Sequence, residues 1–198
     1  AMLAAMLAWP LHAFSSMPSE AELQNSVDKA YEAFKDVKEG ANADYIPILA
    51  TVPSELFGIV IVTKDGKTFS AGDVDYRFSI QSVSKPFTAA LIMAQQGPEA
   101  IREKIGVEPT GMPFNSKIAL EMYDQRSVNP MVNAGAIAAV SLVQADTEEQ
   151  RWNLVKENIE GFAGEKLSVL EEVYNSEYET SWSNRAIANL LYNYERLY

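Results

Sequence analysis

Residues 78–86 carry the sequence FSIQSVSKP, in which the tetrapeptide Ser82-Val83-Ser84-Lys85 stands directly before a proline. Proline is tolerated in a helix only within the first turn, because the backbone N–H that it lacks has no intrahelical partner there. We therefore expect a helix over residues 82–96, ended by Gly97. Residues three apart on a helix share one face, so the Ser82 hydroxyl is predicted to lie within reach of the Lys85 amine.

This Ser-x-x-Lys spacing suits nucleophilic catalysis. A serine hydroxyl becomes a nucleophile when a nearby base takes its proton, and lysine serves as that base only if its pKa is lowered. Burial of Lys85 would lower that pKa, since desolvation disfavours the ammonium form. Backbone N–H groups at the helix start can stabilise an oxyanion. The alternative is a capping Ser82 beside a solvated Lys85, because so short a motif also occurs by chance.

Upstream of this helix, the sequence predicts a β-hairpin. Residues 57–63 (FGIVIVT) and 68–71 (TFSA) are apolar and β-branched, and they flank an Asp-Gly pair that is typical of a hairpin turn. The first strand is almost continuously apolar, so we expect both of its faces to be covered. A helix is predicted before the hairpin, over residues 19–39, where Ser19 and Glu22 form a capping box.

Downstream of the tetrapeptide, the pattern is mostly helical. Helices are predicted at residues 98–105, 134–144, 146–163 and from 183 to the end of the chain. In the third of these, Phe162 is expected to face inward. Residues 107–133 are interpreted as a loop, and the acidic stretch at 171–179 as a second, solvated loop. Two strands followed by helices indicate an α+β fold with helices packed on a sheet.

The amino-acid composition excludes several kinds of binding and catalytic site. The chain has 198 residues, enough for a sizeable core, and a formal net charge of −11, which argues against a nucleic-acid-binding surface. It has no Cys and a single His, at position 12. A thiolate nucleophile, a His-based triad and a His/Cys metal centre are therefore excluded or nearly so, and a nucleophile would have to be Ser or Thr.

Residues 1–17 (AMLAAMLAWPLHAFSSM) form a separate apolar segment without Lys or Arg. The segment is too short, and too interrupted by proline, to span a bilayer as a helix. It is interpreted either as a signal-like remnant or as an ordinary leader, with 18–198 as the N-terminal portion of a single domain. The location is accordingly left open between the cytoplasm and, if a signal peptide has been truncated, the periplasm.

Several blocks, taken in order, resemble the serine-dependent glutaminase family. They lie at residues 43–50, 57–58, 70–73, 78–86, 106–111, 113–116 and 129–137. The resemblance runs from about Ser19 to the end of the chain and implies a β-lactamase/transpeptidase-like fold, with an antiparallel sheet that is incomplete at the C-terminus. It also implies hydrolysis of L-glutamine to L-glutamate and ammonia, with no cofactor or metal, by a homo-oligomer that is commonly a tetramer.

Carried over residue by residue, the resemblance makes Ser82 the nucleophile and Lys85 its base. It assigns Tyr45 a catalytic role and places Gln81 beside it, near the reacting amide. It assigns substrate binding to Asn133, Glu177 and Asn184. Each of these last three also has a plain structural explanation: Asn133 as a helix cap, Glu177 as a solvated acid and Asn184 as a first-turn residue.

Two alternatives stay open at this point. One is a different Ser-x-x-Lys acyl-serine hydrolase acting on a β-lactam or a peptidoglycan peptide, although the companion Ser-Asp-Asn and Lys-Thr-Gly motifs do not follow. The other is a non-catalytic fragment or interaction module with a glutaminase-like front half.

Overall fold

The computed structural model describes residues 18–122 and 127–198, so the predicted leader at 1–17 lies outside the described residues. The chain divides into two compact units. Among the described residues, the first unit contains 18–41 and Pro53–Arg77, and the second contains Asn42–Val52, 78–122 and 127–198.

In the first unit, one helix packs on a β-hairpin. Helix α1 is Glu20–Phe34, and strands β1 (Gly58–Val62) and β2 (Thr68–Gly72) pair in antiparallel fashion. The predicted capping box is confirmed, since the Glu22 N–H donates to Ser19 Oγ while the Ser19 N–H donates to Glu22 Oε2. A hydrogen bond of 3.1 Å from Gln24 Nε2 to the Ser70 carbonyl oxygen ties the helix to β2.

Two expectations for this unit are wrong. Strand β1 is not covered on both faces, because the side chains of Val60 and Val62 are 48% and 65% exposed. Side chains alternate along a strand, so α1 covers only every second residue of the sheet. The helix itself ends at Phe34 rather than near residue 39. Val37, the next apolar residue in the periodic pattern, is exposed and gains nothing from continuing the helix.

The second unit is helical. After a 3₁₀ turn at Pro47–Thr51 and another at Gln81–Val83 come seven helices within the described residues. They are α2 (Ser84–Gln96), α3 (Pro98–Lys104), α4 (Ile118–Met122), α5 (Asn133–Leu142), α6 (Glu148–Ala163), α7 (Glu171–Thr180) and α8 (Trp182–Asn193). Their shared core is fully apolar at its centre and includes Ile92, Ile105, Leu120, Ile187 and Leu191.

Most of the predicted helices are confirmed. The small-residue helix α5 is buried, and α8 directs Ile187 and Leu191 into the core as expected. The prediction that Phe162 faces inward is wrong, because its side chain is 63% exposed. Its ring lies against that of Phe87, with 5.0 Å between the ring centroids. Helices α4 and α7 lie where loops were expected. In α4 it is tertiary burial of Leu120, 1% exposed, that stabilises a very short helix.

Candidate active site

A cavity of about 760 Å³ lies within the second unit. It is of the size that binds small molecules, and about half of its lining residues carry polar side chains, although most of the lining surface is apolar. Every site residue predicted from the sequence lines it: Tyr45, Gln81, Ser82, Lys85, Asn133, Glu177 and Asn184. These residues come from five separate stretches of the chain, so packing of the helices brings them together.

Ser82 lies in the 3₁₀ turn directly before α2, close to the predicted helix start. Its side chain is exposed to the cavity and makes no hydrogen bond within the described part of the chain. The residue before it, Gln81, has φ = +44°, in the left-handed region that non-glycine residues seldom adopt. Such strained residues cluster at functional sites, because the surrounding structure must hold them in place.

Lys85, the second residue of α2, is half-buried. Its Nζ donates to Asn133 Oδ1 over 2.7 Å and lies 5.7 Å from the centroid of the Phe114 ring. Desolvation by burial lowers the pKa of the Lys85 ammonium below its ordinary value, as the sequence argument required. The expected hydrogen bond between Lys85 Nζ and the Ser82 hydroxyl is not made in this structure, and Nζ donates to Asn133 Oδ1.

Asn133 connects three elements. It is the first residue of α5, and its backbone N–H donates to the Phe114 carbonyl oxygen over 2.8 Å. Its side-chain Nδ2 donates to Asn184 Oδ1 over 2.9 Å. The helix-cap explanation for Asn133 is wrong, because its side chain makes no capping hydrogen bond and is used instead to join Lys85 to α8.

Tyr45 and Glu177 lie on the remaining wall. Tyr45 is 61% exposed, whereas its neighbour Ile46 is 4% exposed and anchors the segment. The backbone N–H of Ile48 donates to Ser176 Oγ over 3.4 Å, which ties the 3₁₀ turn to α7. Glu177 is therefore a half-buried helical residue and not part of a solvated loop.

Three further side chains of the cavity are not indicated as site residues by the sequence. Phe114 falls in one of the blocks quoted above, but nothing in its local pattern indicates that its ring lies over Lys85. Ser79 accepts a 2.8 Å hydrogen bond from Gln81 Nε2, and Ser84 Oγ donates to the Gln81 carbonyl oxygen over 2.7 Å. Both serines line the cavity, and both form hydrogen bonds with the left-handed Gln81.

A buried carboxylate supports the wall beside α6. Glu160 is 6% exposed and accepts hydrogen bonds from Lys156 Nζ, from Lys166 Nζ at 2.7 Å and from the Leu167 N–H at 3.0 Å. These donors lower the pKa of Glu160 from 4.5 to about 2, with the hydrogen bond from Lys156 as the largest cause. The sequence signalled only the i, i+4 pairing of Lys156 with Glu160.

Within residues 18–122 and 127–198, no cluster of three or more His, Cys, Asp or Glu side chains is arranged to hold a metal ion. In the same part of the chain, no helix combines the length and the apolar character needed to cross a membrane.

The family model and the curated relatives that match this chain are all described as glutaminases. The family model described as Glutaminase matches residues 40–198. A glutaminase of Brucella canis is 52% identical over 171 residues, which is 86% of this chain and 54% of the relative. A glutaminase of Colwellia psychrerythraea is 51% identical over 181 residues, which is 91% of this chain and 58% of the relative. The chain thus spans little more than half the length of these curated relatives.

Solved structures agree. One described as probable glutaminase YbaS superposes with a TM-score of 0.89 at 49% identity, covering 91% of this chain and 59% of that chain. A structure of Mglu in its tris and glutamate form gives a TM-score of 0.82 at 34% identity, covering 89% of this chain and 39% of that chain. The predicted α+β fold is confirmed by these matches.

Proposed function

The chain belongs to the glutaminase family, and on that premise we propose that it forms the serine-bearing part of an enzyme that hydrolyses L-glutamine to L-glutamate and ammonia. The observation that carries the proposal is the single cavity lined by all of the predicted site residues. The reported glutamate form of the related Mglu agrees with a product of this kind.

The chemistry begins with Ser82. Its Oγ attacks the side-chain amide carbon of glutamine, and its proton passes to the neutral amine of Lys85. For this step the lone pair of the neutral Lys85 Nζ accepts a hydrogen bond from the Ser82 hydroxyl, while one of its N–H groups keeps donating to Asn133 Oδ1. The lowered pKa of Lys85 raises the fraction of neutral amine that can accept the proton.

The tetrahedral intermediate then collapses. Lys85 returns the proton to the leaving nitrogen, so ammonia departs and a glutamyl ester on Ser82 remains. Water attacks the ester carbonyl, gives one proton to Lys85 as the base and releases glutamate, and Ser82 Oγ recovers a proton from Lys85. Atoms balance over the cycle, since one water is consumed and one ammonia is released.

The other polar residues are proposed to hold the amino-acid end of the substrate. The Glu177 carboxylate pairs with the α-ammonium group, and the amides of Asn133 and Asn184 donate to the α-carboxylate. Tyr45 and Gln81 lie beside the reacting amide. The homo-oligomer, commonly a tetramer, remains a prediction from the resemblance, as does the assignment of residues 18–198 to a single domain.

The test compares the wild-type chain with Ser82→Ala and with Ser26→Ala, a matched control whose hydroxyl lies on α1 and donates to the Glu22 carbonyl oxygen. We expect wild type and Ser26→Ala to release ammonia from glutamine, and Ser82→Ala to release none above background. We also expect an alkyl fluorophosphonate to add one phosphonyl group to wild type, located at Ser82 by peptide mass analysis.

Equal ammonia release by wild type and Ser82→Ala would overturn the mechanism. Glutamine binding by the wild type with neither ammonia release nor labelling at Ser82 would favour the non-catalytic interaction module.

A further inference from the structure

We propose that Ser84, the third residue of the tetrapeptide, is a positioning residue that holds Gln81 in its left-handed conformation and thereby places the Ser82 hydroxyl in the cavity. This inference rests on the proposed function, since it takes Ser82 to be the nucleophile. Ser84 itself touches neither Ser82 Oγ nor Lys85 Nζ through a hydrogen bond. Its effect would therefore reach the chemistry only through the backbone.

The need for such a residue follows from the backbone at Gln81. At φ = +44°, the Cβ of a non-glycine residue crowds its own backbone, and an isolated chain would favour the right-handed or extended regions. Gln81 is not a glycine, and it is the first residue of its 3₁₀ turn rather than the residue after a helix C-terminus, where a left-handed conformation is common. Interactions around Gln81 must therefore offset its cost.

Ser84 supplies two of those interactions to one atom. Its Oγ donates to the Gln81 carbonyl oxygen over 2.7 Å, and its backbone N–H donates to the same oxygen. A third contact, from Gln81 Nε2 to Ser79 Oγ at 2.8 Å, fixes the side chain of Gln81 on the other side. Together these bonds fix the orientation of the peptide plane that joins Gln81 to Ser82.

That peptide plane determines where Ser82 points. It contains the Ser82 backbone nitrogen and Cα, so a rotation of the plane about the Gln81 Cα–C bond moves the Ser82 Cα and with it the hydroxyl that faces the cavity. The Ser84 hydroxyl is not a helix cap, because it donates to a carbonyl, whereas a capping serine accepts from a backbone N–H. Stabilising this one turn is thus the only hydrogen-bonding role that the structure gives the Ser84 hydroxyl within the described residues.

The size of the effect follows from the worth of one hydrogen bond. A typical intramolecular bond shifts an equilibrium by about fivefold to tenfold. Loss of the Ser84 hydroxyl should therefore lower the population of the correctly placed Ser82, and with it the rate of acylation, by about the same factor. The fold should hardly suffer, because alanine has a higher helix propensity than serine at the first position of α2.

The first experiment compares Ser84→Ala, Ser84→Thr and the control Ser26→Ala with wild type. The rate of Ser82 labelling by the fluorophosphonate is followed by intact mass, and ammonia release gives kcat and KM. We expect Ser84→Ala to lose about fivefold to tenfold in labelling rate and in kcat, with KM and melting temperature nearly unchanged. Ser84→Thr keeps the hydroxyl and should stay within about twofold of wild type, as should Ser26→Ala.

A second experiment isolates the backbone. Gln81→Ala and Gln81→Gly both remove the side chain, but only glycine adopts the left-handed conformation without cost. Adding Ser84→Ala should slow Ser82 labelling by about fivefold to tenfold in the Gln81→Ala chain and by less than about twofold in the Gln81→Gly chain. An equal loss in both backgrounds would overturn the backbone route.

The outcomes separate the two proposals. If wild type is labelled at Ser82 and releases ammonia, but Ser84→Ala matches it in both, the positioning role is wrong and the proposed function stands. If the wild type is neither labelled at Ser82 nor active, the proposed function itself fails. A parallel fall in melting temperature and labelling rate for Ser84→Ala would reduce Ser84 to a general structural residue and overturn the inference.

Discussion

Substituting alanine for glycine is expected to have opposite effects on stability at two helical positions. Gly135 lies buried in the first turn of α5, two residues after Asn133. A Cβ on Gly135 would come within 1.7 Å of the Asn129 carbonyl oxygen and 2.5 Å of its carbon. Gly161 lies exposed in α6, where an added Cβ would meet nothing within 4 Å.

The expected change in the free energy of unfolding follows from these distances. A methyl group on Gly135 requires the Asn129 carbonyl to retreat by about 1.3 Å, from 1.7 Å to the 3.0 Å below which Cβ contacts are essentially never seen. The obstacle is backbone, so we expect overpacking at the upper end of its usual range, about 3 kcal/mol. Alanine regains about 1 kcal/mol in helix propensity, which leaves Gly135→Ala less stable by about 2 kcal/mol. Gly161→Ala has only the gain, about 1 kcal/mol.

Thermal unfolding followed by circular dichroism measures both variants. For a chain of this size we expect Gly135→Ala to melt about 4–8 °C below wild type and Gly161→Ala about 2–4 °C above it. The retreat of Asn129 would also displace Asn133 from Lys85, so ammonia release should fall in Gly135→Ala and persist in Gly161→Ala. A melting temperature of Gly135→Ala at or above that of Gly161→Ala would contradict the predicted clash with the Asn129 carbonyl.

Three further predictions concern the base, the buried carboxylate and the core. The rate of Ser82 labelling should rise with pH as the Lys85 ammonium loses its proton, with a midpoint below the ordinary 10.5 because burial lowers the Lys85 pKa; a midpoint at or above 10.5 would contradict this. Glu160, with its pKa lowered from 4.5 to about 2, contributes stability that is fully present above about pH 4.5 and is lost as pH falls toward 2. In urea titrations, Glu160→Gln should therefore lose more stability at pH 7 than at pH 3, and an equal loss at both would count against the ion pairs. Leu191→Ala, at a fully buried position, should cost about 2–5 kcal/mol, whereas Tyr192→Ala, at a side chain that is 76% exposed, should cost less than about 1 kcal/mol in the same assay.

The correct sequence predictions share a local cause. The hairpin depends on an Asp-Gly pair between two β-branched runs, and the capping box of α1 depends on residues three apart. Pro86 placed the start of α2 within two residues, because its missing N–H is tolerated only in the first turn. Each of these signals acts over a few residues, so it is visible before any tertiary contact forms.

The wrong sequence predictions concern features that depend on contacts between distant parts of the chain. The acidic, polar sequence of α7 predicts a loop, whereas the contact of α7 with the 3₁₀ turn at Pro47–Thr51 joins residues more than a hundred positions apart. Phe162 follows the apolar period of α6 yet remains exposed. Periodicity tells which residues share a helix face and cannot tell how much of that face a partner covers.

For the candidate site, local sequence patterns predict the residue types and their setting: a Ser-x-x-Lys pair at a helix start, in a chain with no cysteine and one histidine. The resemblance to the glutaminase family identifies the other residues of the site. The folded chain alone reveals that Lys85 bonds Asn133, 48 residues away, and that Gln81 is held left-handed beside Ser82. The physical reason is that these arrangements depend on how helices pack and on which donors meet one carbonyl, and neither is encoded in the spacing of residues along the chain.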